Sequence, residues 1–215
     1  MNSQSIENYL KVIFNQAIVT DEVNTTGIAQ ALEVSLPSVN SMVKKLAGMG
    51  LLEYEKYRPL KITEKGRQMA AMIIRKHRLT EMYLVEKMGF GWEEVHDIAE
   101  QLEHVQSPVF FDRMDELLGY PQRDPHGSPI PNKNGHIATL EYRMLADCRP
   151  GEKVTLKALG HTSDAFLKYL NSKNLALGVE VEIIAMEVYD RNMTVVYDGH
   201  REVLSALVCS KLLVS

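Results

Sequence analysis

The chain has 215 residues, 45% hydrophobic and 24% charged, with a net charge of −4, a composition that suits one large globular domain or two to three small ones. Its uncharged apolar stretches fall far short of the roughly 20 residues that cross a bilayer, the N-terminus MNSQSIENYL has no basic or apolar leader region, and Cys148 and Cys209 are too few for a disulfide framework or a thiolate zinc cluster. A membrane span is therefore excluded and a reducing, cytoplasmic setting expected, for a chain whose residues 1–78 carry +4 while residues 79–215 carry −8.

In chain order, apolar residues Ile6, Tyr9, Leu10, Val12, Ile13 and Ile18 give Ser5–Val19 a helical period. Asn24-Thr25-Thr26 offers caps for a short helix, Gly27–Leu32. Ser35 and Pro37 then open another that stops near Gly48 to Gly50. Leu51–Tyr54 and Leu60–Thr63 alternate as a two-stranded wing. Helix, short helix, turn, helix and wing is the order of a winged helix-turn-helix. A long helix is expected from Glu64 to about Lys87, another over Trp92–Val105 and a third from Pro108 to Leu118. Gly119–Pro131 holds four of the eight prolines and is loop. Leu145–Leu159 and Val179–Leu213 read as short strands around one helix, Ser163–Asn171, in a compact β-barrel. The fold class is thus mainly α with a β C-terminal domain.

On the second helix of the motif, Ser38, Asn40, Ser41, Lys44 and Lys45 form a polar side opposite Val39, Met42, Val43 and Leu46. Short hydroxyl and amide groups there can touch base edges, while Lys44, Lys45 and the wing's Lys56 and Arg58 neutralise phosphates. The alternative is a helical bundle with a solvated polar face. One such domain carries few base contacts, so two-fold pairing is expected.

The middle segment concentrates chemistry. His77 and Glu81 are spaced i, i+4; His96, Glu100, Glu103 and His104 fall within a wedge of roughly 100° on the next helix. Residues 93–116 hold eight carboxylates and one arginine. Two carboxylates and two imidazoles on one stripe repel and desolvate one another unless a cation neutralises them. Carboxylate and imidazole without thiolate suit Mn²⁺ or Fe²⁺, with Zn²⁺, Co²⁺ or Ni²⁺ possible in vitro. The competing reading is a solvent-exposed stripe. Asp124 and His126, two apart in the proline-stiffened loop, can point at one ion or form an ordinary Asp-Pro turn. His136, His161 and His200 lack partner spacing and read as surface residues.

Together these segments resemble the diphtheria-toxin-repressor family of metal-dependent regulators, in its three-domain form, over essentially the whole chain. The resemblance rests on Ser5-Ile6-Glu7-Asn8-Tyr9-Leu10-Lys11, Ser35-Leu36-Pro37-Ser38-Val39, Leu60-Lys61-Ile62-Thr63-Glu64-Lys65-Gly66, Arg75-Lys76-His77-Arg78-Leu79-Thr80-Glu81, Val95-His96-Asp97, Glu103-His104-Val105 and His126-Gly127-Ser128-Pro129-Ile130-Pro131. It implies a winged helix-turn-helix over 1–72, a helical metal-binding and dimerisation domain over 73–142, and an SH3-like, FeoA-like domain over 143–215. It also implies a homodimer that seizes a palindromic double-stranded DNA operator when metal is bound. By carry-over, one site uses Asn8, Glu100, Glu103 and His104. A second uses His77, Glu81 and His96, helped by Asp124, His126 and Asp164.

Position 8 is Asn where manganese regulators often have Asp and the iron branch has Met. Position 11 is Lys where a short manganese regulator has Glu, which argues against that binuclear form. Glu100 stands where iron regulators carry Cys, and a carboxylate there leans towards Mn²⁺. The expected function is a metal-activated repressor of metal-homeostasis genes, with no catalysis and no organic substrate. Two other classes are a winged-helix regulator sensing an organic ligand, and a metallohydrolase, for which no general base stands beside an open metal position.

Overall fold

The computed structural model describes residues 3–19, 23–55, 58–139 and 141–215. The first helix, α1 (Ser3–Val19), buries Ile6, Tyr9, Leu10, Ile13 and Phe14, the spacing of one helical stripe. In α2 (Thr25–Ala31) the Asn24 side chain caps the start, accepting from the Gly27 N–H at 2.8 Å. Ser35 and Pro37 begin α3 (Leu36–Gly48), whose Val39, Met42, Val43 and Leu46 are each 0% exposed. Burying each such side chain contributes about 1.5–3 kcal/mol, so this face fixes how α3 sits on α1.

The wing is shorter than its alternation suggests: β1 (Leu52–Glu53) and β2 (Lys61–Ile62) pair antiparallel with Leu52 opposite Ile62. Flanking residues are used elsewhere. Leu60 bridges to Val23, and Thr63 turns to the next helix, accepting from the Gly66 N–H and donating to the Gly50 carbonyl. That helix, α4 (Glu64–Met88), starts so close to the wing that a Cβ on Gly66 would lie 2.2 Å from the Leu51 carbonyl oxygen. Glycine is required there by space, although it disfavours helix.

Two helices follow, α5 (His96–Leu102) and α6 (Pro108–Leu117). The first is half the expected length. Gly91–Glu94 forms a turn in which the Glu94 carboxylate accepts the Gly91 N–H at 2.7 Å, so the helix begins only at His96. The proline-rich stretch is loop as expected, with one bridge between Arg123 and Pro129.

The remainder comprises β3 (Arg143–Met144), a 3₁₀ turn at Leu145–Asp147, β4 (Lys153–Leu159), α7 (Asp164–Ser172), β5 (Glu180–Met186), β6 (Met193–Tyr197), β7 (His200–Leu204), α8 (Ala206–Cys209) and β8 (Leu212–Val214). The strands form one antiparallel sheet in the order β3-β8-β4-β5-β6-β7. The inward residues of this sheet and Phe166, Leu167 and Leu170 of α7 share one core. Among the described residues no helix is long and apolar enough to cross a membrane.

The chain divides into two compact units. The first comprises residues 1–80, 99–119 and 130–138; the second comprises 81–98, 120–129 and 139–215. In the first, α1, α3, the wing and the start of α4 share a core running from Ile6 to Ile74. Arg75 is buried there with Asp115 of α6, at 2.5 Å, and also donates to the Pro131 carbonyl at 2.7 Å.

Candidate metal centres

In the first unit, α1, α4 and the end of α5 bring five of the expected residues and one unexpected one together. Glu103 is 0% exposed. Its Oε2 lies 2.6 Å from His77 Nδ1, and Glu100 Oε2 lies 3.9 Å from the same nitrogen. Ligand atoms of His77, Glu100 and Glu103 all fall within 4.8 Å of one another. His104 Nε2 lies 4.0 Å from Glu103 Oε1. The other ring nitrogen of His104, Nδ1, is 2.6 Å from Glu7 Oε2, while Glu7 Oε1 accepts from Gln106 at 2.9 Å.

Glu7 was not singled out from the sequence. Its signal is angular: on α1 it stands one heptad before buried Phe14, so a 5%-exposed carboxylate lies at the edge of an apolar stripe. The contact orients His104. With Nδ1–H donated to a carboxylate, Nε2 is the nitrogen left to bind an ion, the usual carboxylate–histidine–metal arrangement.

Two further features bear on whether an ion fits. Asn8 Oδ1 is enclosed and has no hydrogen-bond partner among the described residues. An orphaned acceptor carries a desolvation cost of about 1–3 kcal/mol that a cation would relieve. Secondly, Lys11 Nζ donates to Glu103 Oε1 and Oε2 at 2.7 and 2.9 Å and also to Glu100 Oε2. Burial alone would raise the Glu103 carboxyl, yet the His77 hydrogen bond and the Lys11 ammonium outweigh it and hold it below the ordinary value of 4.5. The donor set of carboxylates, imidazoles and an amide oxygen fits Mn²⁺ or Fe²⁺. His77, which the sequence grouped with Glu81 and His96, is also hydrogen-bonded to Glu103 of the first site.

The second unit holds another group. Glu81, Asp124 and His126 are all buried, with ligand atoms within 4.8 Å of one another. His126 Nδ1 is 3.7 Å from Glu81 Oε2, and His96 Nδ1 is 3.5 Å from Glu81 Oε1. His126 Nε2–H donates to the Trp92 carbonyl at 2.9 Å, which turns Nδ1 towards Glu81. Asp124 Oδ1 accepts the backbone N–H groups of His126 and Ser128, each at 2.9 Å, so an Asx turn shapes the loop. The loop is pinned to β4, where the Leu159 N–H donates to the His126 carbonyl at 2.9 Å. Gly127, at φ +86°, is obligatory there, since a Cβ would lie 2.3 Å from the Lys157 carbonyl oxygen. Burial would lower the His126 pKa, but Glu81, Asp124 and the Trp92 carbonyl together raise it above 6.5. Asp164 opens α7 with its side chain 63% exposed, facing Lys168 at 4.0 Å. His136, His161 and His200 are exposed.

On α3, Ser38, Asn40, Ser41, Lys44 and Lys45 are all exposed, opposite the buried face. Arg58 is 72% exposed and paired with Glu55 at 2.9 Å. Lys56 lies outside the described residues.

Comparison with known proteins matches three family models. Residues 1–60 match the N-terminal DNA-binding domain of iron-dependent repressors, 63–132 their metal-binding and dimerisation domain, and 143–215 the FeoA domain. The chain is 40% identical over 125 residues to an iron-dependent repressor of Mycobacterium leprae (strain TN), covering 58% of this chain and 54% of that one. This match therefore spans about half the length of the mycobacterial relative. It is 35% identical over 183 residues to the diphtheria toxin repressor of Corynebacterium jeikeium (strain K411), covering 74% and 76%. Among solved structures, a manganese-dependent transcriptional repressor in complex with manganese superposes with a TM-score of 0.88 at 33% identity, covering 97% of this chain and 98% of that one.

Proposed function

Because the chain belongs to the iron-dependent repressor family, we propose that it is a metal-activated, DNA-binding transcriptional repressor with no catalytic step, taking Mn²⁺ or Fe²⁺ as its effector. The observation that carries this reading is the buried meeting of α1 with the end of α5. Glu103, 0% exposed, faces His77 and His104 beneath a helix that presents Glu7 and the unpartnered amide oxygen of Asn8.

The link to DNA is mechanical. Ile6, Leu10 and Ile13 of α1 share a core with Val39, Met42 and Leu46 of α3. A packed core does not deform continuously, so a fixed α1 fixes the helix that carries Ser38, Asn40 and Ser41. When bound, a divalent cation would be held by Glu100, Glu103, His104 and Asn8 and would offset their charge, shifting DNA affinity only as far as it favours the DNA-competent arrangement over others. Glu7 holds His104 in the binding tautomer. Ser38, Asn40 and Ser41 then read base edges, and Lys44, Lys45, Lys56 and Arg58 meet phosphates.

Glu81, Asp124 and His126 form the second site, joined by His96. The reading divides the chain at 1–72, 73–142 and 143–215, supported by family matches over 1–60, 63–132 and 143–215. A homodimer on a palindromic operator is part of the reading, supported by Val109, Phe110 and Leu117, which leave 76%, 43% and 53% of themselves exposed on α6. Glu100 in place of a thiolate favours Mn²⁺.

The test is fluorescence anisotropy on the DNA upstream of the chain's own gene, titrated with Mn²⁺ or anaerobic Fe²⁺ against a chelator control. Metal-dependent binding, abolished in a folded Glu103→Ala variant, is expected. Equal binding with chelator present would overturn the reading.

A further inference from the structure

The first site already contains a cation. Lys11, on α1, places its ammonium across both oxygens of Glu103 and against Glu100 Oε2. This is no ordinary surface pair, since the Lys11 side chain is 14% exposed and that of Glu103 is 0% exposed. Lys11 on both carboxylate oxygens and His77 Nδ1 on one of them take three of the roughly four acceptor positions of Glu103, and an ammonium held there repels an incoming dication. Glu100, 36% exposed, and the partly exposed lysine stem give the ammonium a way to water when the carboxylates are needed elsewhere.

We propose that Lys11 is a tethered competitor for the divalent ion. Its ammonium neutralises Glu100 and Glu103 in the metal-free chain, must leave for both carboxylates to coordinate, and so raises the metal concentration at which the site fills. The displacement is the same for every divalent ion, so Lys11 sets a threshold and leaves the rank order of metals unchanged. The inference rests on the reading that Glu103 is a metal ligand.

The test is direct Mn²⁺ binding by electron paramagnetic resonance of the free ion, with calorimetry, on the full-length wild type and on Lys11→Met, which keeps the stem and removes the charge. Glu103→Gln identifies which part of the isotherm belongs to the first site. Loss of hydrogen bonds to charged groups is worth about tenfold or more in an equilibrium constant, so Lys11→Met should bind first-site Mn²⁺ at least about tenfold more tightly. Its metal-free melting temperature should fall, and its rise on adding Mn²⁺ should grow. Lys11→Gln, with a neutral polar head, should behave the same way and serves if Lys11→Met fails to fold. Unchanged or weaker Mn²⁺ binding in the folded variant overturns the competitor alone. An isotherm that Glu103→Gln leaves unchanged overturns the site and this inference with it.

Discussion

Replacing Glu7 by Gln isolates the role of a carboxylate that coordinates nothing itself. The side chain is buried, 2.6 Å from His104 Nδ1 and 2.9 Å from Gln106 Nε2. A hydrogen bond to a charged group contributes about 1.5–3 kcal/mol and a neutral one about half of that, so Glu7→Gln should weaken the hold on His104 by about 1–1.5 kcal/mol. If the amide oxygen keeps His104, the new NH₂ faces the NH₂ of Gln106, which adds a cost in stability without metal. Since about 1.4 kcal/mol is a factor of ten, the Mn²⁺ midpoint for DNA binding should rise about tenfold, within the range known for partners that orient a ligating histidine. The plateau at saturating Mn²⁺ should be unchanged, because Glu7 acts through the metal and not on the DNA. The assay is anisotropy across a Mn²⁺ series, with circular dichroism as the fold control. An unmoved midpoint would reduce Glu7 to a structural contact. A lost plateau in folded protein would place its action on the DNA surface and refute the orienting role.

Lys44→Ala and Lys45→Ala should each weaken binding to all DNA sequences alike and lower the slope of log K against log salt by about 0.9, whereas Ser38→Ala should alter sequence preference; a slope unchanged in both lysine variants would remove them from the phosphate contacts. The raised His126 pKa means that its pairing with Glu81 stabilises the metal-free protein below pH 6.5, and that this contribution is lost as pH rises through the folded-state value. An ion needs the neutral imidazole, so metal uptake at the second site should release a proton and tighten as pH rises. Calorimetry in buffers of different ionisation enthalpy should detect the proton in wild type and lose it in His126→Gln. Gly127→Ala forces a side chain into the Lys157 carbonyl at positive φ and should cost about 2–4 kcal/mol in thermal unfolding; a loss under about 0.5 kcal/mol would mean the loop yields.

What the sequence disclosed follows the range of the interactions. The stripe that buries Val39, Met42, Val43 and Leu46 is a local period, and the exposed face of α3 matches it residue for residue. The histidines and carboxylates of both sites were legible from helical spacing and from the family resemblance. Their partners were less so. Glu7 meets His104 and Lys11 meets Glu103 across 97 and 92 residues, and no periodicity reports a contact of that separation. The shortened α5 has a similar origin. Trp92, read as helical, instead donates to Asn171 and lends its carbonyl to His126, so tertiary bonds draw residues 92–95 out of the helix. The wing strands are short: Leu60 bridges to Val23, and Thr63, whose N–H still donates to the Leu51 carbonyl, turns its hydroxyl to Gly50.

The clamp of Arg75 on Asp115 and the Pro131 carbonyl has a consequence for timing. This buried pair is charge-balanced by itself, and breaking it would cost about 3–5 kcal/mol. The clamp joins α4 to α6 through an interaction that needs no ion. Depletion of metal therefore leaves a folded scaffold in waiting rather than an unfolded chain, unlike small domains whose folding is their metal binding. On the reading proposed above, returning metal should restore DNA binding on the microsecond-to-second scale of local rearrangement, with no refolding or new synthesis to await.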